Sequence, residues 1–340
     1  MGVFMTQIKI IFAIIAALIG AGFASGQEIC SFFYMYGLKG IAGLIFCDFL
    51  FICIIYKVFI LLLNNNINNY KDFIYTLIGK YGLLINIIIN LFLLVTFFIM
   101  LAGFGAFFAQ ELDISKYIGS SILALLCYIT LMNNSNMVIK VSSILVPILI
   151  LFIIIIGTIN IGTINISSTL NLLPKANGLA WLLSSILYCS YNSILLVPVL
   201  ITLKNLINTK KDIVIISWIS GLILLVLSLS IFFLLTRVNI DISKLEMPIV
   251  YVIRHFYKSF MYIYAFIILS SIYTTAISIG ISFLENIAKN KSTYPLIVLI
   301  MCITGFVITG FGFSNLVTKL YPIFGFLGLV QISMLFLKTK

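Results

Sequence analysis

Charge is what this 340-residue chain has least of: Asp, Glu, Lys and Arg make up 9% of it, apolar residues make up 63%, and mean hydropathy is +1.25. Soluble domains carry about 25% charged residues, so a soluble globular protein is excluded. Apolar runs long enough to cross a bilayer recur from end to end, which reads as a polytopic membrane protein. Long polar stretches are missing too. The longest connections, Asn160 to Asn177 and Arg237 to Lys258, are about 20 residues each and leave no room for a soluble domain. Histidine is nearly absent. His255, beside Arg254 in a connection, is the only one, which excludes a His-based metal or catalytic cluster. The cysteines Cys30, Cys47, Cys53, Cys127, Cys189 and Cys302 form no C-x-x-C pair and fall inside apolar runs, where they read as small apolar residues. No acidic, His or Cys groups converge near an interface, which argues against a membrane enzyme. No repeated pore motif is present, which argues against a channel.

Basic residues exceed acidic ones, 20 to 9, for a net charge of +11. They are scattered singly between apolar spans rather than gathered into a patch, so nucleic acid is not the expected partner and the lipid bilayer is. With the N-terminus cytoplasmic, 12 of the 20 fall on inside segments: Lys9, Lys57, Lys71, Lys80, Lys140, Lys204, Lys210, Lys211, Lys289, Lys291, Lys338 and Lys340. This split favours a multi-pass protein of the cell membrane with both termini cytoplasmic.

Apolar runs predict about ten spans. The first five lie near Ile8 to Met35, Ile41 to Leu63, Leu83 to Ala109, Tyr117 to Met132 and Ile139 to Ile159. The second five lie near Leu179 to Ile201, Ile213 to Thr236, Phe260 to Leu284, Tyr294 to Phe311 and Tyr321 to Leu337. Between spans two and three, Phe73 to Ile78 reads as a short amphipathic piece at the interface. The asparagine tracts at Asn64 to Asn66 and Asn133 to Asn134 read as solvated turns. The two sets form a single transporter domain, 1–340, with halves at about 8–159 and 179–337. Because each half has an odd number of spans, the two enter the membrane in opposite directions and suit an inverted repeat.

The most informative segment is in span one. Gly20, Ala21 and Gly22, then Phe23, Ala24 and Ser25, interrupt an apolar helix at mid-membrane depth. Backbone survives unwound there only where it lines a cavity or binds something, and glycine permits the unwinding. Ser25 with Glu28 three residues later reads as a capping box that restarts the helix. A cleavable leader ending near Ser25 also fits the pattern, but apolar residues resume at Ile29, so one interrupted span is the simpler reading. In span six, Tyr188 to Ser193 followed by Pro198 is a polar break where the symmetry asks for one. Glu28 and Asp48 are carboxyls inside apolar segments, which by default are functional. Glu28 has the cap as an alternative explanation. Asp48 either braces the broken helices, through Asn192 or unwound amides, or titrates during transport. Phe104, Phe107, Tyr188 and Tyr191 are candidates to shape a pocket.

Gly20 to Glu28, Tyr36, Gly37, Gly40 and Tyr188 to Asn192, with the closing Gly312-Phe-Ser-Asn315 and Tyr321-Pro-Ile-Phe-Gly325, resemble the YkvI-type membrane proteins. These are grouped as amino-acid permeases within the amino acid, polyamine and organocation superfamily. The resemblance implies an all-α LeuT-type fold of five-plus-five inverted repeats, broken first and sixth helices, and alternating access around a central site. Substrate would meet Gly20, Ala21, Gly22, Phe23, Ala24, Ser25, Phe104, Tyr188, Tyr191 and Asn192.

Span eight, Tyr273 to Ser278 and on to Ser282 and Glu285, is similar to the eighth helix of sodium-coupled members of the superfamily. By that likeness the hydroxyls of Thr274 and Thr275 would hold sodium, with carbonyls of Ser271, Ala16 and Ile19. Membrane helices also use Thr and Ser to bond their own backbone. Proton-coupled relatives place a lysine mid-way along span five. Here only Lys140 is present, at the start of that span, so sodium is favoured over protons.

The expected function is secondary active transport of an amino acid or a related small zwitterion, coupled to sodium, with no catalytic residue and no cofactor beyond the coupling ion. The competing readings are a proton-coupled or uncoupled permease or exporter of another small solute, and a membrane sensor that transports nothing.

Overall fold

The structure is a computed structural model that describes residues 2–65, 67, 69–79, 82–133, 136–163, 173–174, 178–207, 209–238, 240–287 and 292–338. Lys80, Lys289, Lys291 and Lys340 of the charge count, Asn66, Asn134 and most of the Asn160 to Asn177 connection lie outside them. The described residues are helical, with no strand among them.

Span one is three pieces in line: α1 (Gly2–Leu18), α2 (Ala21–Ala24) and α3 (Gln27–Phe32). Next come α4 (Leu38–Asn64), α5 (Tyr70–Ile78), α6 (Gly82–Leu112), α7 (Lys116–Met132) and α8 (Asn136–Thr163). The second half holds α9 (Ala180–Leu203), α10 (Lys210–Leu235), α11 (Pro248–Phe256), α12 (Met261–Ile287), α13 (Tyr294–Ile308) and α14 (Phe313–Lys338). Among the described residues, eight helices are long and apolar enough to cross a bilayer, and Met5–Leu18 and Lys116–Met132 are shorter apolar helices. At 1.5 Å per residue, the 17 residues of α7 reach about 25 Å, close to the ~30 Å hydrocarbon core.

Local chemistry places the helix ends. Asn69 caps α5, its side chain accepting from Asp72 N–H at 2.8 Å. Thr209 and Asp212 form a reciprocal capping box on α10, with Asp212 N–H on Thr209 Oγ1 at 3.2 Å and Thr209 N–H on Asp212 Oδ2 at 2.9 Å. Pro248 opens α11, where its missing N–H costs nothing.

Long-range polar ties define two faces. On the N-terminal face, Gln7 donates to Asp212 at 2.7 Å, Lys204 to the Ile67 carbonyl, and Lys338 to the Thr76 carbonyl. On the opposite face, Lys39 donates to the Gly178 carbonyl at 3.3 Å, Lys116 to the Gly310 carbonyl at 2.9 Å, and Arg254 pairs with Glu111 at 3.4 Å. Both ends of the described chain thus share a face. The amphipathic α5 lies on that face and α11 on the other.

Each span of the first half packs directly on its counterpart five spans later in four cases: α1 on α9, α4 on α10, α6 on α12 and α7 on α13. An aromatic cluster fills the middle, with the Tyr188 ring set edge-on to Phe32 at 5.3 Å and Phe33 at 5.0 Å, and Tyr191 tilted on Tyr321 at 4.6 Å.

Two expectations fail. Span six is not broken: α9 runs unbroken from Ala180 to Leu203 through Tyr188 to Ser193 and past Pro198. Its polar side chains bond back to their own helix, Ser190 to the Ile186 carbonyl at 2.6 Å, Asn192 to the Tyr188 carbonyl at 3.1 Å and Ser193 to the Ser190 carbonyl at 2.7 Å. The Ser25–Glu28 capping box is not formed either. Gly26, at φ 80°, is the residue that starts α3. Ser25 donates to the Gly22 carbonyl at 3.1 Å and accepts from Gln27 N–H at 3.3 Å, and Glu28 turns inward instead.

Candidate functional site: a central cavity ending at the helix break

The gap in span one spans two residues. Gly20 is extended (φ −93°, ψ −172°), the last regular bond of α1 runs from Ile19 N–H to the Ile15 carbonyl at 2.9 Å, and the first of α2 runs from Ala24 N–H to the Gly20 carbonyl at 3.0 Å. Carbonyls from Ala16 to Ile19 and amides from Ala21 to Phe23 therefore stand outside helical pairing, as at any helix end. Their partial charges face each other across the gap.

A cavity of about 1280 Å³ runs from the N-terminal face to this gap. Its mouth carries Lys9, Lys71 and Glu285, and its walls carry Thr96 and Met100 of α6, Pro147 of α8, and Asn192, Leu195 and Pro198 of α9. Its deep end is formed by Gly20, Ala21, Glu28, Tyr191 and Tyr321. From Lys9 to Gly20 the helical rise is about 16 Å, so ionisable side chains sit at the mouth and again at the floor, with polar and apolar wall between.

Glu28 dominates the floor. It is 4% exposed, the Tyr188 and Tyr191 hydroxyls stand beside its carboxyl, and its Oε2 lacks a hydrogen-bond partner. The carboxyl fits because Gly22 has no side chain: a Cβ there would sit 2.2 Å from Oε1.

The residues expected to hold sodium lie along the same cavity. Ala16, Ile19, Ser271, Thr274 and Thr275 all line it, on α1, the break and α12. The Thr274 hydroxyl donates to the Ser271 carbonyl at 3.1 Å, the intrahelical bond common to such residues. Of the expected substrate contacts, Gly20, Ala21, Tyr191 and Asn192 line the cavity. Gly22 and Tyr188 stand behind it, against Glu28. Phe23, Ala24 and Ser25 are buried on the far side of the break. Phe104 lies apart, stacked on Phe108 at 5.4 Å. Asp48 is also apart. It faces α10, with Oδ2 3.3 Å from where a Gly221 Cβ would be, and its Oδ1 has no partner, while Asn192 is committed to its own helix.

The opposite face is shut. Ile249 of α11 donates its N–H to the Ser25 carbonyl at 2.9 Å, and Tyr264 donates its hydroxyl to the Ala24 carbonyl. Gln110 holds Met247 through both its N–H (2.9 Å) and its carbonyl (3.1 Å). Gln27 donates to Ser314 Oγ at 2.6 Å, and Glu246 accepts from Ser314 N–H at 2.6 Å. Beyond this seal lies a second cleft of about 470 Å³ between α3, α9 and α14. Sequence reasoning missed this closure, since Gln27, Glu246 and Ser314 are far apart in the chain. The local signal that could have pointed to a helix there is Pro248, two residues after Glu246, a residue type suited to a first helical turn.

No family model matches the chain. It is 29% identical over 335 residues to the uncharacterized membrane protein YkvI of Bacillus subtilis (strain 168), covering 97% of this chain and 95% of that protein. It is 27% identical over 320 residues to the uncharacterized protein YyaD of the same organism, covering 93% and 92%. The chain is thus a multi-pass membrane protein, homologous over nearly its whole length to a membrane protein of Bacillus subtilis.

Proposed function

We propose that the chain is a secondary active transporter of amino acids or related small zwitterions, working by alternating access and coupled to sodium. The observation that carries this reading is the pairing of one open and one shut access route around a broken helix: a cavity of about 1280 Å³ reaches the break from the N-terminal face, while α11, Gln27 and Ser314 close the other side. A solute at the break would be exposed to one face only. The direct packing of four spans on their counterparts supports a five-plus-five inverted repeat of the LeuT type, with the break confined to span one.

Chemistry at the break suits a zwitterion. Free amides at the start of α2 would receive a carboxylate, and the carbonyls ending α1 would receive positive charge. For sodium, Ala16, Ile19, Ser271, Thr274 and Thr275 line the same cavity, and their neutral carbonyl and hydroxyl oxygens are of the kind that hold a monovalent cation. With the N-terminal face cytoplasmic, this is an inward-open state in the cell membrane.

The test is a thermal-shift screen of the purified protein against the amino acids, with and without sodium, since a ligand of the folded state raises its apparent stability. Stabilisation by an amino acid that strengthens with sodium supports the reading. Indifference to every amino acid in both conditions removes it.

A further inference from the structure

We propose that Glu28 selects the solute by its positively charged nitrogen, so that the cavity accepts solutes bearing an ammonium group and rejects those without one. This rests on the transport reading and assigns the chemistry of its floor. Glu28 is buried, lines the deep end of the cavity, and leaves Oε2 without a hydrogen-bond partner. No basic side chain stands against it among the described residues, since the lysines of the cavity, Lys9 and Lys71, belong to its mouth. A carboxyl in such surroundings calls for a positive partner that donates hydrogen bonds, and a polar site at this depth without one is costly.

Three partners meet that demand: a proton, a metal ion or an organic ammonium. A metal ion prefers several oxygens around it. Here the neighbours are aromatic, with Tyr191 and Tyr321 both lining the cavity and their rings 4.6 Å apart. Aromatic faces favour an organic cation. A proton needs no space, whereas the carboxyl opens onto a cavity large enough for a whole amino acid. The Tyr191 hydroxyl, beside Glu28 and in the lining of the cavity, supplies a further polar contact for the same nitrogen. Gly22 keeps the carboxyl in place, because any side chain there would displace it.

The experiment compares binding of the twenty amino acids to the purified full-length protein with binding of their deaminated acids, in wild type, Glu28→Gln and Glu28→Asp. In wild type, removing the amino group should weaken binding at least tenfold, as expected for a hydrogen bond to a charge. In Glu28→Gln that discrimination should disappear, and in Glu28→Asp it should persist. Deaminated acids that bind wild type as well as amino acids do would overturn the inference while leaving a small-solute transporter intact. A Glu28→Gln protein that discriminates as well as wild type would also overturn it. If this variant instead loses only a pH dependence, a proton takes the place of the ammonium. Silence across the whole panel in wild type removes the transport reading and this inference together. The wild-type comparison stands even if a variant fails to fold.

Discussion

The Glu28 carboxyl occupies the space that a side chain at Gly22 would fill, with Oε1 2.2 Å from the position of the missing Cβ. The two residues are six apart and lie on either side of a left-handed Gly26, so the geometry exists only because span one is broken. Gly22→Leu should insert in the membrane normally yet lose transport, because the colliding atoms belong to the Glu28 side chain and not to backbone, so the carboxyl is displaced while the helices stay in place. Flux at the wild-type rate would show that the floor of the cavity is not the site.

Gly26 is required for two reasons. Its φ of 80° disfavours any residue with a Cβ, and a Cβ would lie 2.4 Å from Ile249 Cγ1. Gly26→Ala should therefore destabilise the protein by about 1 to 3 kcal/mol, read as a lowered melting temperature in detergent. In an Ile249→Ala background, which carries its own cavity cost, the same Gly26→Ala change should cost less by its steric part only. A Gly26→Ala change that costs nothing in that background would mean that the backbone conformation carries no strain.

How much of this was legible beforehand follows from how local each signal is. The interrupted span was readable from Gly20, Gly22 and Ser25, and the ten apolar runs and the amphipathic piece before α6 were readable from periodicity. The capping box was misread because Ser25-x-x-Glu28 has two competing uses: with Gly26 free to adopt positive φ, the helix restarts without Glu28, and the carboxyl goes to the cavity. The supposed break in span six failed because Ser190, Asn192 and Ser193 satisfy themselves on carbonyls three and four residues back. A polar run in a membrane helix therefore does not by itself unwind it. The closure around α11 joins Gln27 to Ser314 across 287 positions, and no local pattern reports such a contact.

Closure of the far face should depend on Gln27. Replacing it with Ala removes the bond to Ser314 and leaves the Glu246–Ser314 tie alone. The expected cost is about 1 kcal/mol to the shut state, and the route from the second cleft should open more often. A cysteine at Leu195, which lines the central cavity, should react with a membrane-impermeant maleimide added from the far face several-fold faster in Gln27→Ala than in the Gln27 background, with the native cysteines replaced. Equal rates would mean that α11 alone holds the seal.

Removing both hydroxyls as Thr274→Ala and Thr275→Ala should weaken sodium binding at least tenfold, since each contact to a charge is worth about 1.5 to 3 kcal/mol. Substrate affinity in saturating sodium should recover much of its wild-type value, because coupling between the two sites is reciprocal. Isothermal titration with sodium alone, then with substrate at two sodium concentrations, measures both. A wild-type protein whose substrate binding ignores sodium and strengthens as pH falls would move the coupling role to Glu28 or Asp48.

The most direct measurement is uptake of labelled amino acids by proteoliposomes holding the purified protein, under an inward sodium gradient and again with that gradient abolished. The account predicts that at least one amino acid accumulates above its external concentration with the gradient, only equilibrates without it, and does neither in Gly22→Leu. Correctly inserted wild-type protein that moves no amino acid under either condition would contradict it.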